Sequence, residues 1–375
     1  MATINYLTTI QLDFGAVKLL PTELDRLGIK CPLLVTDRGV RAAGILDRIL
    51  SVLGKRPVIV YDETPPNPTE GAVVSATQVF REGGCDGVVA LGGGSAIDLG
   101  KAVALMATHA GPLQQYAAVE GGAALITANV APLIAIPTTA GTGSEVGRGS
   151  VIVMEAGRKL GLLSPHLLPK VAICDPELTY GLPPMLTAAT GMDAIAHCIE
   201  TFIAPSINPT ADAIALDGLR RGTSHVERAT TDGQDRDARW NMMVAAFEGA
   251  LAFQKGLGAV HALSHPLGAV RDISLHHGTL NAVLLPAVLR FNRPSVGNKY
   301  ERLAEAMGLA PGTDPSEAIV ELNTRLGLPT GLQAMGLPRE ALPEIAQAAM
   351  KDHCHATNPR IATVEDYLRM LEESY

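Results

Sequence analysis

The stretch GVVALGGGSAIDLGKAVAL, residues 87–105, runs from a short β-branched segment through three successive glycines into a helix-period run of Ala, Leu and Ile. A buried strand that ends in a Gly-rich turn and passes directly into a helix is the building unit of a layered α/β protein. Glycines let the backbone approach a ligand closely, and the free N–H groups at the helix start form an anion site. A diphosphate fits such a place. The spacing matches neither the G-x-G-x-x-G turn nor the P-loop, because no Lys-Ser or Lys-Thr follows where the loop needs it. On local grounds a purely architectural tight turn stays open.

On either side of this stretch the pattern repeats. PLLVTD (32–37), PVIVYDE (57–63) and PLIAIPTT (132–139) also read as buried strands with helical runs between them, which predicts a parallel sheet covered by helices. After VAICDP (171–176) strand-like runs nearly vanish, and 184–204, 210–221, 236–254, 279–291, 298–307 and 314–326 read as helices between Gly and Pro signals. The expected organisation is an α/β domain over 1–180 and an all-helical domain over 181–375. The Pro-rich ETPPNPTE (63–70) is a loop inside the first domain.

Ligands of open α/β sheets bind at the carboxyl ends of strands. There the GGGS turn, the segment PTTAGTGSE (137–145) and Asp37, which closes VTD, would converge. An acid at a strand end holds the ribose hydroxyls of an adenine dinucleotide and repels a 2′-phosphate, which favours NAD over NADP. Asp37 also reads as the N-cap of a helix beginning RGVRAAG, and both roles stand at this stage.

Composition narrows the classes. The chain has 375 residues, a formal charge of -8, 47% hydrophobic residues and only 4% aromatics. No Lys/Arg cluster offsets the acidic balance, which argues against nucleic acid. No basic leader precedes an apolar run and no long apolar stretch suggests a membrane segment, so a cytoplasmic protein is expected. Five scattered cysteines without a Cys-x-x-Cys pair read as reduced, mostly buried thiols.

The second half carries a different signal. GMDAIAHCIE (191–200) places Asp193 and His197 four residues apart on one helical face, GAVHALSHPLG repeats the spacing with His261 and His265, and DISLHHGTLNA adds His276 and His277. Each histidine alone would read as a satisfied core residue, but six donors within 85 residues of Ala, Leu, Ile and Gly form a set. Carboxylate and imidazole without paired thiolates suit a catalytic Fe²⁺ or Zn²⁺ with a position open to a substrate oxygen. A nicotinamide site combined with a Lewis-acidic metal is what reversible alcohol oxidation requires. A metallohydrolase is the alternative of a different class, with the glycine turn as mere architecture; nucleotide binding separates the two.

GGGSAID (92–98), PTTAGTGSEV (137–146), GMDAIAHCIE (191–200), HALSHPLGA (261–269) and HHGTLNAVLLP (276–286) resemble the motifs of the iron-containing, group III alcohol dehydrogenases, over essentially the whole chain. The resemblance implies a dinucleotide-binding domain of the dehydroquinate-synthase-like type, a helical metal domain, an active site in the cleft between them, and a homodimer or larger assembly. It implies Asp193, His197, His261 and His277 as metal ligands and His265 as a nearby group able to relay a proton. It implies Asp37, Asn67, Gly94, Ser95, Thr138, Thr139, Thr142 and Lys159 as cofactor residues. Where most relatives have Pro-His-Gly this chain has His276-His277-Gly278, so either histidine could be the fourth ligand. Within the family LDFGAVKLL, DETPPNPTE, GRKLGLLSPHLLPK and DHCHATNP are most similar to members that interconvert 4-hydroxybutyrate and succinate semialdehyde with NAD. A broad range of short-chain alcohols is the alternative. Arg148 and Lys255 are the candidate partners of a substrate carboxylate, each with a solvated surface charge as its plainer reading.

Overall fold

The computed structural model of the chain describes residues 8–270, 273 and 275–375. Its strands are β1 (Thr9–Leu12), β2 (Pro32–Val35), β3 (Ile59–Tyr61), β4 (Gly87–Gly92), β5 (Leu133–Pro137), β6 (Gly149–Val153), β7 (Lys159–Leu163) and β8 (Val171–Cys174). Six of them form one sheet in the order β1-β8-β5-β4-β2-β3, with every neighbouring pair parallel. Successive strand residues face opposite sides. Leu33, Val35, Val88, Ala90, Leu133 and Ala135 enter one core, while Leu34, Val89, Leu91, Ile134 and Ile136 enter the other. Both faces are therefore dry, which is why these strands are continuous apolar runs rather than alternating ones.

The order also locates a binding crevice. From β2 the chain moves outward to β3, then returns across to β4 on the other side of β2. The carboxyl ends of β2 and β4 thus flank the point where the winding reverses, the place where open α/β sheets take ligands.

Contacts divide the chain into an α/β unit, running through Thr139 and including Gly143–Gly181, and a helical unit made of Leu182–Tyr375 with Ala140–Thr142. In the latter, the helix Pro184–Ile203 is buried at every residue from Thr187 onward. Helices Pro209–Thr231, Arg236–Ala252 and His277–Asn292 pack around it. A helix buried on all sides has to be the centre of its bundle, and the polar groups it carries there, Asp193, His197 and Glu200, face other side chains rather than water. Close approach is built in at Gly278, where a Cβ would lie 2.3 Å from the Ala189 carbonyl oxygen. No residue with a side chain can take that place without moving the two helices apart.

Three features depart from the sequence expectation. The antiparallel hairpin β6–β7 and the edge strand β1 were not anticipated. The hairpin has one wet face and a Gly161 inside it, and β1 is four residues long, so neither carries the long buried run that reveals a central strand. The helix expected over 210–221 continues to Thr231. Gly222 and Thr223 look like a stop signal, yet Gly222 lies against Ile195, where an added Cβ would be 2.8 Å away, so the packing needs the helix there.

No helix among the described residues is long and apolar enough to cross a membrane. All five cysteines are free, with Cys174, Cys198 and Cys354 buried.

The helical unit also contains a titration point. Burial, reinforced by Asp217, pushes the Glu248 carboxyl up to about 8. A carboxyl raised in the folded state adds stability below its ordinary pKa, and that stability is lost as pH rises through the folded value. Glu248→Gln imitates the protonated form. Urea unfolding is expected to show variant and wild type alike at pH 4.5, and the variant ahead by about 2–4 kcal/mol at pH 9. Equal pH dependence in both proteins would remove Glu248 as the cause.

Candidate functional site

In the α/β unit, β4 ends at Gly92 and the helix Gly94–Met106 begins immediately, with Gly93 as its N-cap. Gly92 has a φ of 150°, and a Cβ there would lie 2.7 Å from the Ala96 Cβ and 3.3 Å from Asp37 Oδ2. Glycine is what allows this turn to fold over the helix start. The N–H groups of Gly94 and Ser95 consequently open the helix with no side-chain cap of their own, as an anion site requires.

The other expected cofactor residues gather at the same end of the sheet. Gly92 is in register with Pro137, the Thr138 N–H donates to the Gly92 carbonyl at 3.0 Å, and Thr139 lies beside Gly93. The Ser95 hydroxyl donates to the Pro66 carbonyl, and Lys159 Nζ donates to Asn67 Oδ1 at 3.2 Å. Thr142 is placed differently. It belongs to the Ala140–Thr142 segment that clusters with the helical unit, where Gly141 rests directly on Thr190.

Asp37 caps a helix with one oxygen and turns the other toward the glycine turn. Oδ1 caps the helix Arg38–Ala42 by accepting from the Val40 N–H at 2.9 Å, while Oδ2 faces Gly92. Asp37→Asn keeps the cap, because Asn serves as well at that position, and removes only the charge. The ratio of NADPH to NADH affinity is expected to rise about 10- to 100-fold on loss of a like-charge contact. Fluorescence titration with both nucleotides measures it, and an unchanged ratio leaves Asp37 with capping alone.

A buried network that sequence reasoning missed holds this region together. Lys101, fully buried on the helix Gly94–Met106, donates to Ser144 Oγ at 2.8 Å and to the carbonyls of Gly147 at 2.8 Å and Gly149 at 2.6 Å. Ser144 in turn donates to Asp98 Oδ1 at 2.6 Å, and Asp98 Oδ2 accepts from the Val151 N–H at 3.0 Å. Burial lowers the Lys101 ammonium to about 8 and raises the Glu145 carboxyl to about 7. Asp98 and Lys101 stand one turn apart in the stretch quoted at the outset, and that spacing was the available signal.

In the helical unit, three imidazoles converge on one carboxylate oxygen. Asp193 Oδ1 lies 3.6 Å from His197 Nε2, 3.8 Å from His261 Nε2 and 3.7 Å from His277 Nε2. These separations are too long for hydrogen bonds. They are close to the roughly 3.4 Å between neighbouring ligands of a tetrahedral ion with bonds of about 2.1 Å. His197 and Asp193 come from one face of the helix Pro184–Ile203, His261 from the helix Ala259–Leu267, and His277 from the first residue of the helix His277–Asn292. Burial holds His197 down at about 4, so its ring stays neutral, as a ligand must.

Glu200 orients the cluster. Its Oε2 lies 2.6 Å from His261 Nδ1, and its Oε1 accepts the Val260 N–H at 2.7 Å. One buried carboxylate thus fixes both a ring and the backbone beside it, leaving His261 Nε2 as the inward atom. Burial works to lower His261, but the Glu200 hydrogen bond and charge outweigh it and raise it overall. Glu200 follows His197 by three residues within GMDAIAHCIE, so the helical face already displayed it.

The helix start places the two adjacent histidines differently. His276 is the exposed N-cap residue, with Nδ1 3.4 Å from the Thr279 N–H, and His277 is the one whose Nε2 faces Asp193. His265 points Nδ1 at Asp352 Oδ2, 2.8 Å away, and its ring stacks on His277 and on His353 with centroids 5.7 Å and 5.5 Å apart. Lys255 is not a surface charge. Its ammonium is buried, held at 2.5 Å by Asp212 and at 2.8 Å by the Phe202 carbonyl. Arg148 is exposed.

A sheet with a glycine turn at its switch point and a helical unit with an N₃O donor cluster define a class, the metal-dependent, nucleotide-linked oxidoreductases. The pattern of the iron-containing alcohol dehydrogenases matches residues 8–176, and that of the C-terminal region of the Fe-containing alcohol dehydrogenase family matches residues 187–375. The chain belongs to the iron-containing alcohol dehydrogenase family, and it is an enzyme that interconverts alcohols and aldehydes. It is 60% identical to the 4-hydroxybutyrate dehydrogenase of Cupriavidus necator over the full length of both chains. A crystal structure of a 1,3-propanediol oxidoreductase superposes with a TM-score of 0.93 at 35% identity, covering all of both chains. A sulfoacetaldehyde reductase of Bifidobacterium kashiwanohense, in complex with NAD⁺, gives a TM-score of 0.90 at 28% identity, with 100% of this chain and 98% of the other covered.

Proposed function

We propose that the chain interconverts 4-hydroxybutyrate and succinate semialdehyde with NAD, using a divalent metal, Fe²⁺ or Zn²⁺, held by Asp193, His197, His261 and His277. The convergence of three Nε2 atoms on Asp193 Oδ1 carries the metal reading, and the full-length 60% identity to a 4-hydroxybutyrate dehydrogenase supports the substrate. When bound, the metal supplies Lewis acidity that makes the alcohol easier to deprotonate. The α/β unit binds the diphosphate at the Gly94 and Ser95 amides and the ribose at Asp37. Oxidation moves a hydride from the carbinol carbon to the nicotinamide, and the hydroxyl proton leaves separately. His265 takes that proton at Nε2 while Asp352 keeps Nδ1 hydrogen-bonded and the ring fixed.

Arg148 is the proposed partner of the substrate carboxylate, Lys255 being engaged elsewhere. The test is anaerobic, Fe²⁺-loaded kinetics following NADH with succinate semialdehyde beside butanal. A charged hydrogen bond worth about 1.5–3 kcal/mol predicts a kcat/KM advantage of about 10- to 100-fold for the semialdehyde. Equal rates would turn the assignment toward a broad-range alcohol dehydrogenase, and Arg148→Ala should erase the advantage without touching butanal.

A further inference from the structure

Asn281 stands one turn after His277 on the same helix and is fully buried. Its Nδ2 lies 2.7 Å from Asp193 Oδ1, 3.2 Å from His277 Nε2 and 3.3 Å from His261 Nε2. Its Oδ1 has no hydrogen-bond partner among the described residues. Such an arrangement needs a reason, because a stranded buried carbonyl costs about 1–3 kcal/mol.

Asp193 supplies the reason. With Nδ2 inward, the amide gives a charge-assisted N–H···O⁻ bond to Oδ1. Turned over, it would press its carbonyl oxygen against a carboxylate oxygen at the same 2.7 Å, in surroundings too dry to screen the repulsion. The inward N–H therefore has to return more than the stranded Oδ1 loses. Asp193 Oδ1 is also the oxygen on which the three imidazoles converge. His261 has its Nδ1 engaged with Glu200, so its Nε2 presents a lone pair to the same space.

We infer that Asn281 is a positioning residue of the metal site: its Nδ2 donates to Asp193 Oδ1 and fixes that single oxygen toward the imidazoles. The inference rests on the reading of Asp193, His197, His261 and His277 as the metal-holding set. The amide has two consequences. It stops the carboxylate from rotating to offer both oxygens, and its hydrogens keep the carboxylate and imidazole acceptors from facing one another unrelieved before metal enters.

The test is metal retention rather than turnover. Wild type, Asn281→Ala and Asn281→Asp are loaded with Fe²⁺ under anaerobic conditions and titrated with a chelator, with metal content read by elemental analysis and NADH affinity as the control for folding. Both variants should hold metal about 10- to 100-fold less tightly, the usual loss when a group orienting a ligand is removed, with NADH affinity within about twofold. Asn281→Asp fills the same space but turns an acceptor toward Asp193, so a merely space-filling residue would leave that variant at wild-type retention. Wild-type retention in either variant overturns the inference, as does tighter binding in Asn281→Asp, which would make position 281 a ligand. A second measurement is independent of how the variants fold. In a crystal structure of the metal-loaded wild type the Asn281 Nδ2 to Asp193 Oδ1 contact is expected to persist, and an amide turned with its oxygen to the ion overturns it. Should wild type bind Fe²⁺ no better than Asp193→Ala, the metal reading fails and the inference with it, a pattern unlike either of the others.

Discussion

Replacing Asp193 by Ala is expected to lower kcat/KM by more than about 10³-fold, the loss that follows when several kcal/mol of Lewis-acid stabilisation disappears. The oxygen removed is the one shared by His197, His261 and His277, at 3.6–3.8 Å from each. Without it the three imidazoles lose their common anionic partner, and the purified variant should contain little metal. NADH binding should survive, because the proposed cofactor residues other than Thr142 belong to the α/β unit. Elemental analysis beside NADH fluorescence titration separates the two effects. Full metal content in the variant would show that the carboxylate is dispensable, and loss of NADH binding as well would show that Asp193 matters to folding rather than to the ion.

Lys101→Met is expected to have the second largest effect, through stability and cofactor binding together. The methionine reproduces most of the apolar stem but none of the three hydrogen bonds to Ser144, Gly147 and Gly149. It leaves the buried Glu145 carboxyl without its cation and Asp98 with Lys159 alone, and removing one partner of a buried charge typically costs about 3–5 kcal/mol. The segment after β5 would then lose its tie to the helix that opens at Gly94. Urea unfolding and NADH affinity should both weaken while metal content is retained. An unchanged unfolding midpoint would reduce Lys101 to a space-filling role.

The parts of the molecule that were legible in the sequence share one property, a local pattern that repeats. The central strands β2, β4 and β5 are short apolar runs closed by turn residues, and burial on both faces leaves such runs uninterrupted. Asp193 and His197 announced themselves by helical spacing in an apolar setting. β1 and the β6–β7 hairpin have no such pattern, and the helix Pro209–Thr231 carries a false stop at Gly222 that only its contact with Ile195 explains.

The sequence by itself determined the class of fold, the order of an α/β and a helical half, and the residue types from which a metal cluster and a nucleotide turn could be made, because strand length, helical period and turn chemistry are local. Only the tertiary structure turned His277 rather than His276 toward Asp193, paired Lys255 with Asp212, and brought Asn281 onto the cluster. Those outcomes depend on which faces of separate helices meet and on which buried polar groups must satisfy one another across long stretches of chain, and no spacing along a single segment encodes that.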